Sequence, residues 1–150
     1  MKNTKFFAVI ISLLILVTFT FTACGSETLE IGARVIESSE DFIVIEATAT
    51  CGSLADALEY LSGEGELTYN GSESDYGIYL TSVNGREADT SANEYWAVYT
   101  TLYEYDGVVY SNSDYGIYRY MLTPCASASY GISGLPLVEG ELYVIVLESF

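Results

Sequence analysis

Phe42-Ile43-Val44-Ile45-Glu46-Ala47-Thr48-Ala49-Thr50 runs directly into Cys51-Gly52-Ser53-Leu54-Ala55-Asp56-Ala57-Leu58-Glu59-Tyr60-Leu61, and that junction decides the fold class. The first stretch is rich in β-branched residues, which suits a strand. In the second, Leu54, Ala57, Leu58 and Leu61 recur at the spacing of one helical face, with Ser53 as N-cap, Asp56 in the first turn and Gly63 as the stop. One short amphipathic helix follows a strand, and its apolar face is expected to cover a sheet.

Upstream, Leu29, Ile31, Ala33 and Val35 alternate with Glu30, Gly32, Arg34 and Ile36, a period of two that predicts a half-buried strand. A polar turn at 37–41 joins it to 42–50, so the domain opens with a β-hairpin. Downstream no second long helical pattern occurs. Strands are predicted at 66–69, ended by Asn70-Gly71, and at 77–83, ended by Asn84-Gly85. A polar loop covers 86–94. A long strand at 95–105 turns at Asp106-Gly107 into 108–110, and another at 116–122 is stopped by Pro124. The Val-Ile-Val run within 142–147 reads as a central strand buried on both faces. The fold class is therefore α+β, mostly β: an N-terminal hairpin, one short helix and several further antiparallel strands.

The first residues have a different character. Lys2 and Lys5 precede an apolar run from Phe6 to Phe21, and Thr22-Ala23-Cys24 supplies small residues, the pattern of a secretory signal. Ala23-Cys24 resembles a bacterial lipobox, with Phe21 where an aliphatic residue is usual. The expected organisation is a signal peptide at 1–23, a lipidated Cys24 with a short tether at 24–27, and one domain at 28–150, exported and held by its lipid on the outer face of the bacterial cell membrane. In that oxidising compartment Cys51 and Cys125 form an even pair, and one disulfide between them is expected.

Composition restricts the chemistry. The chain carries 21 acidic and five basic residues, so it repels phosphate backbones, and nucleic-acid binding is excluded. The acidity reads as a solvated surface. There is no histidine, which removes the commonest general base, the usual serine or cysteine triad and most zinc sites. No enzymatic activity, cofactor or metal site is expected. Fourteen of the 21 aromatic residues are Tyr, whose flat apolar body and polar tip suit a ligand surface as well as a core. Period two divides those on the central strands between the two faces. Ser74-Asp75-Tyr76-Gly77-Ile78-Tyr79 recurs as Ser113-Asp114-Tyr115-Gly116-Ile117-Tyr118, with a shorter copy at Ser129-Tyr130-Gly131-Ile132. The expected reason is a shared Asp-Tyr-Gly turn feeding a strand.

Four segments, Ser53-Leu54-Ala55-Asp56-Ala57-Leu58, Tyr76-Gly77-Ile78-Tyr79-Leu80-Thr81-Ser82-Val83-Asn84-Gly85, Tyr95-Trp96-Ala97-Val98-Tyr99 and Leu137-Val138-Glu139-Gly140, together resemble a known family. It is the C-terminal β-domain of transcobalamin and intrinsic factor, and more nearly the transcobalamin-like C-terminal domains of bacterial surface lipoproteins. The resemblance implies a β-grasp-like fold and a surface that caps one face of cobalamin through backbone atoms and apolar side chains. Residue by residue it implies Asp75, Tyr76, Gly77, Ile78, Tyr79 and Leu80, with Trp96, Ala97, Val98 and Tyr99, as ligand contacts. It also implies cobalamin or another corrinoid as ligand, with a transporter or second ligand-binding protein as partner, since the helical domain that holds the other face in the vitamin carriers has no counterpart here. The segment 100–129 is longer than in those carriers. The alternative expectation is a module that docks a protein or glycan at the cell surface through the tyrosine-rich face.

Overall fold

The computed structural model describes Ile31–Phe150. The expected signal peptide, lipidated Cys24 and tether lie outside those residues. Along the chain the elements are β1 Ala33–Ser38, β2 Phe42–Ala47, α1 Leu54–Gly63, β3 Tyr69–Ser72, β4 Tyr79–Val83, β5 Arg86–Glu87 and β6 Glu94–Thr100. There follow β7 Glu104–Tyr105, β8 Val108–Val109, β9 Ser111–Tyr120, β10 Thr123–Ala128 and β11 Leu142–Ser149. Six strands form the main sheet in the order β1-β2-β11-β6-β10-β9, every pairing antiparallel. The class is α+β and mostly β, and β1 and β2 form the opening hairpin.

Helix α1 packs on one face of this sheet. Leu54, Ala57, Leu58 and Leu61 are buried against Ile43 and Ile45 of β2, Tyr143 and Ile145 of β11, and Trp96 of β6. Its start is held reciprocally: Asp56 N–H donates to Ser53 Oγ at 3.3 Å, and Ser53 N–H donates to Asp56 Oδ2 at 2.7 Å. That is a capping box, satisfying two amides that would otherwise lack partners. Ser53→Ala is expected to lower stability by about 1 kcal/mol, read as a shift of the urea midpoint at unchanged slope. The stop differs from the expected Gly63, which is the last residue of α1. Gly65, at φ +78°, reverses the chain, and its N–H reaches Ser62 O while Glu66 N–H reaches Leu61 O. Those two bonds close a Schellman motif, which needs its left-handed residue beyond the last turn.

Strand β11 lies between β2 and β6, and its 143–146 stretch is buried on both faces. Tyr143 and Ile145 meet the helix, whereas Val144 and Val146 join Val44, Tyr99 and Cys125 in a second cluster on the far face. Tyr118 and Tyr120 of β9 cover that cluster. Burial, and then the Glu37 carboxylate, raise the Tyr120 phenol above its ordinary pKa.

Several strand limits differ from those expected. Asn70-Gly71 is not a turn but lies inside β3 at a register irregularity opposite β4, where a Cβ on Gly71 would stand 2.5 Å from Ile78 Cγ2. The long strand expected at 95–105 breaks after Thr100, where Thr100 Oγ1 accepts from Leu102 N–H and Leu102 turns inward, 2% exposed. Pro124 does not stop the sheet; it lies in β10 opposite Arg119, and β6 reaches β10 only at Ala126 and Ser127. The Asn84-Gly85 and Asp106-Gly107 turns form as expected, each with two positive φ angles.

Cys51 and Cys125, expected as a disulfide, are not bonded to each other. Cys125 is a buried thiol in the far-face cluster, where burial pushes its pKa up. Cys51 accepts from Gly32 N–H at the junction of β2 and α1. Among the described residues no helix is long and apolar enough to cross a membrane.

Candidate functional site

The ladder between β6 and β11 leaves one edge of β6 partly uncovered. Thr101 N–H donates to Leu142 O, so residues of that parity, Tyr99, Ala97 and Tyr95, direct their backbone groups to β11. Trp96 and Val98 direct theirs the other way. On that side β10 pairs only with Thr100 and Tyr99 before diverging. A gap opens there, beside the backbone of Trp96 and Val98.

The segment leading into β4 forms the opposite wall. Ser74 and Gly77 exchange backbone hydrogen bonds at 3.1 Å each, and Ser74 Oγ accepts from Tyr76 N–H, which makes 74–77 a tight turn with Asp75 and Tyr76 exposed at its tip. From the turn the chain passes over 131–133. Gly131 N–H donates to Tyr76 O and Ile132 N–H to Ile78 O, both at 2.8 Å, while Ile78 N–H donates to Ser133 Oγ at 3.0 Å. The backbones touch because both residues at the crossing are glycine. A Cβ on Gly131 would lie 2.5 Å from Ile78 O, and one on Gly77, at φ +105°, 2.8 Å from Ser133 Oγ. The first and third copies of the Tyr-Gly-Ile echo are thus packed on one another. The middle copy does not feed a strand from a turn, as expected, but lies within β9: Gly116, at φ +140°, receives the Tyr99 ring, with Tyr99 Cε1 3.5 Å from where its Cβ would be.

Between these walls lies a cleft of about 170 Å³. Ile78, Tyr79 and Leu80 line one side and Trp96, Ala97 and Val98 the other, so six of the ten expected contacts come together. Leu80 and Trp96 are nearly buried, and the Trp96 indole N–H donates to Arg86 O at 3.2 Å. Arg86 is itself held by Glu94 at 2.9 Å, which fixes the start of β6.

Four expected contacts lie elsewhere. Asp75 and Tyr76 are at the turn tip, and Gly77 is consumed in the glycine crossing. Tyr99 points to the far face, 6% exposed, and donates to Glu148 at 2.9 Å, the same carboxylate that accepts from Tyr95 at 2.8 Å. Burial, and then the hydrogen bond to Glu148, hold the Tyr99 phenol well above its ordinary pKa. The lining also includes Tyr95, Ser127, Ala128, Tyr130 and Gly131, which the sequence reading did not place in the site. The Tyr130-Gly131 echo was the available signal for two of them.

No lining residue is charged, in a chain whose formal net charge is −16. Among the described residues no three His, Cys, Asp or Glu side chains converge as a metal-ligand set. The cleft offers aromatic faces, aliphatic walls and an uncovered strand edge.

No family model, curated protein or solved structure matches the chain.

The chemistry open to the site therefore follows from its geometry. Ligand pockets that engulf a drug-sized molecule usually enclose ~300–1,000 Å³. A cleft of about 170 Å³ takes one ring or one edge of a larger molecule.

Proposed function

We propose that the chain is an exported, lipid-anchored, non-enzymatic binding protein on the outer face of the bacterial cell membrane. Its cleft between β4 and β6 grips the edge of a flat, uncharged ligand, a corrinoid such as cobalamin being the ligand class. The observation that carries this reading is the meeting of Ile78–Leu80 with Trp96–Val98, on strands that are not paired to each other, in one uncharged cleft. The same segments carry the resemblance to the transcobalamin-like domains. The uncovered edge at Trp96 and Val98 suits a ligand with amide groups at its rim, because strand-edge N–H and C=O groups seek partners. The cleft's size favours contact with one edge, with a membrane transporter or second ligand-binding protein closing over the rest.

Titration with cobalamin, followed by corrin absorbance and Trp96 emission, tests this. A saturable change at micromolar ligand is expected. Tyr79 is half exposed on the cleft wall, and Tyr79→Ala is expected to weaken binding about tenfold, or about 1.4 kcal/mol, with the urea midpoint almost unmoved. Absence of saturation at high micromolar ligand would remove corrinoids as the ligand class.

A further inference from the structure

The aromatic surface does not end at the cleft. Tyr130, on the cleft rim, packs its ring against Tyr110 at 5.6 Å between centroids. Tyr110 N–H donates to Tyr103 O, which sets those two residues opposite one another in the β7–β8 hairpin, and Tyr105 stands opposite Val108. In an antiparallel pair, opposed residues and residues two apart share a face. Tyr103, Tyr105, Val108 and Tyr110 therefore form one face that runs outward from Tyr130. Glu104 and Val109 lie on the reverse.

This face carries no charged side chain up to Asp106 in the turn. Tyr103 is 64% exposed, and Tyr105, Val108 and Tyr130 are each exposed by more than a third. With ~200 Å² per tyrosine, the exposed surface amounts to roughly 400 Å². A stable protein interface needs ~800 Å² per partner, so the track is too small for a folded protein, yet it is as large as the functional patches of many monomers.

We infer that this tyrosine track, from Tyr130 along Tyr110, Tyr103 and Tyr105, binds a neutral glycan. A pyranose presents an apolar C–H face that stacks on an aromatic ring, and its hydroxyls meet phenol oxygens at the ring edges. A polymer of such units spans successive rings without needing an enclosed pocket. Uronates, sulfated sugars and phosphodiester-linked glycans are disfavoured by the protein's own negative charge. The track meets the cleft at Tyr130 but differs from the corrinoid reading in ligand and in test, so each can fail alone.

Native affinity electrophoresis of the full chain through gels cast with soluble β-glucan, mannan, xylan or alginate provides the test. At least one of the three neutral polymers is expected to retard the protein twofold or more, and alginate is expected to leave it unretarded. Tyr103→Ala combined with Tyr105→Ala, at two exposed track positions outside the cleft lining, should abolish the retardation while circular dichroism shows the fold retained. Tyr115→Ala, which removes a tyrosine 78% exposed on β9 and off the track, should leave it intact. Free migration in all three neutral gels overturns the inference. So does equal retardation by alginate, or retardation that survives the double substitution or is lost equally with Tyr115→Ala.

Discussion

Replacing Gly131 by alanine is expected to destabilise the protein by about 3 kcal/mol and to abolish binding in the cleft. The added methyl would stand 2.5 Å from Ile78 O, 2.8 Å from Gly77 C and 2.9 Å from Ile78 C, all of them backbone atoms that cannot rotate aside. Overpacking of this kind costs roughly 1–3 kcal/mol, and separation of the two segments also strains the bonds from Gly131 N–H to Tyr76 O and from Ile132 N–H to Ile78 O, worth about 1 kcal/mol each. Ile78 carries the cleft wall away with it. The same substitution at Gly63 has the opposite sign. That residue has helical backbone at the end of α1 and open space where its Cβ would be, so Gly63→Ala should raise stability by about 0.5–1 kcal/mol. Urea denaturation of the two variants beside the parent reads both effects. A Gly131→Ala variant within 1 kcal/mol of the parent would show that the glycine crossing is not tight.

What the sequence revealed and what it concealed follow from the range of the interactions involved. The opening hairpin and α1 were legible because alternation at Ala33 and Val35 and the Ser53–Asp56 cap are local signals. Strand β10 was not, since Thr123-Pro124-Cys125-Ala126-Ser127-Ala128 has small residues and a proline in place of a β-branched pattern. It becomes a strand by pairing with β9, and with β6 only at Ala126 and Ser127, which leaves Pro124 outside the doubly paired stretch. Asn70-Gly71 has the composition of a turn, but only the approach of Ile78 shows why glycine is needed there.

The candidate site divides in the same way. Treating Trp96 to Tyr99 as one contact run ignored the alternation that sends the Tyr99 side chain to the far face and its phenol to Glu148. The three Tyr-Gly-Ile copies were visible in the sequence, but nothing local says that two of them lie back to back while the third accommodates the Tyr99 ring. Contacts between glycines leave no periodic trace, because the defining feature is a missing side chain on each partner.

Tyr143→Phe carries the other large expected effect, and its pH dependence separates a buried phenol from mere packing. Tyr143 is fully buried in β11; its hydroxyl donates to Pro136 O at 2.5 Å and accepts from Val138 N–H at 3.1 Å, tying the 136–138 segment to the sheet. Removal of the hydroxyl leaves a carbonyl and an amide without partners in a dry setting, for an expected loss of about 3 kcal/mol at pH 8. Burial pushes the phenol up to about 12, against an ordinary value of 10.0. The unfolded chain therefore releases this proton first as pH rises. The stability that comes from keeping Tyr143 protonated is complete below pH 10 and is lost through pH 12, on the order of 3 kcal/mol. Phenylalanine has no proton to lose, so the gap between parent and variant should narrow across that window. Tyr99, raised mainly by burial as well, remains in both proteins and cancels in the comparison. Urea midpoints from pH 8 to pH 12 measure the gap directly. A gap that stays constant over the whole range would mean that the Tyr143 proton is no harder to remove in the folded protein than in the unfolded chain.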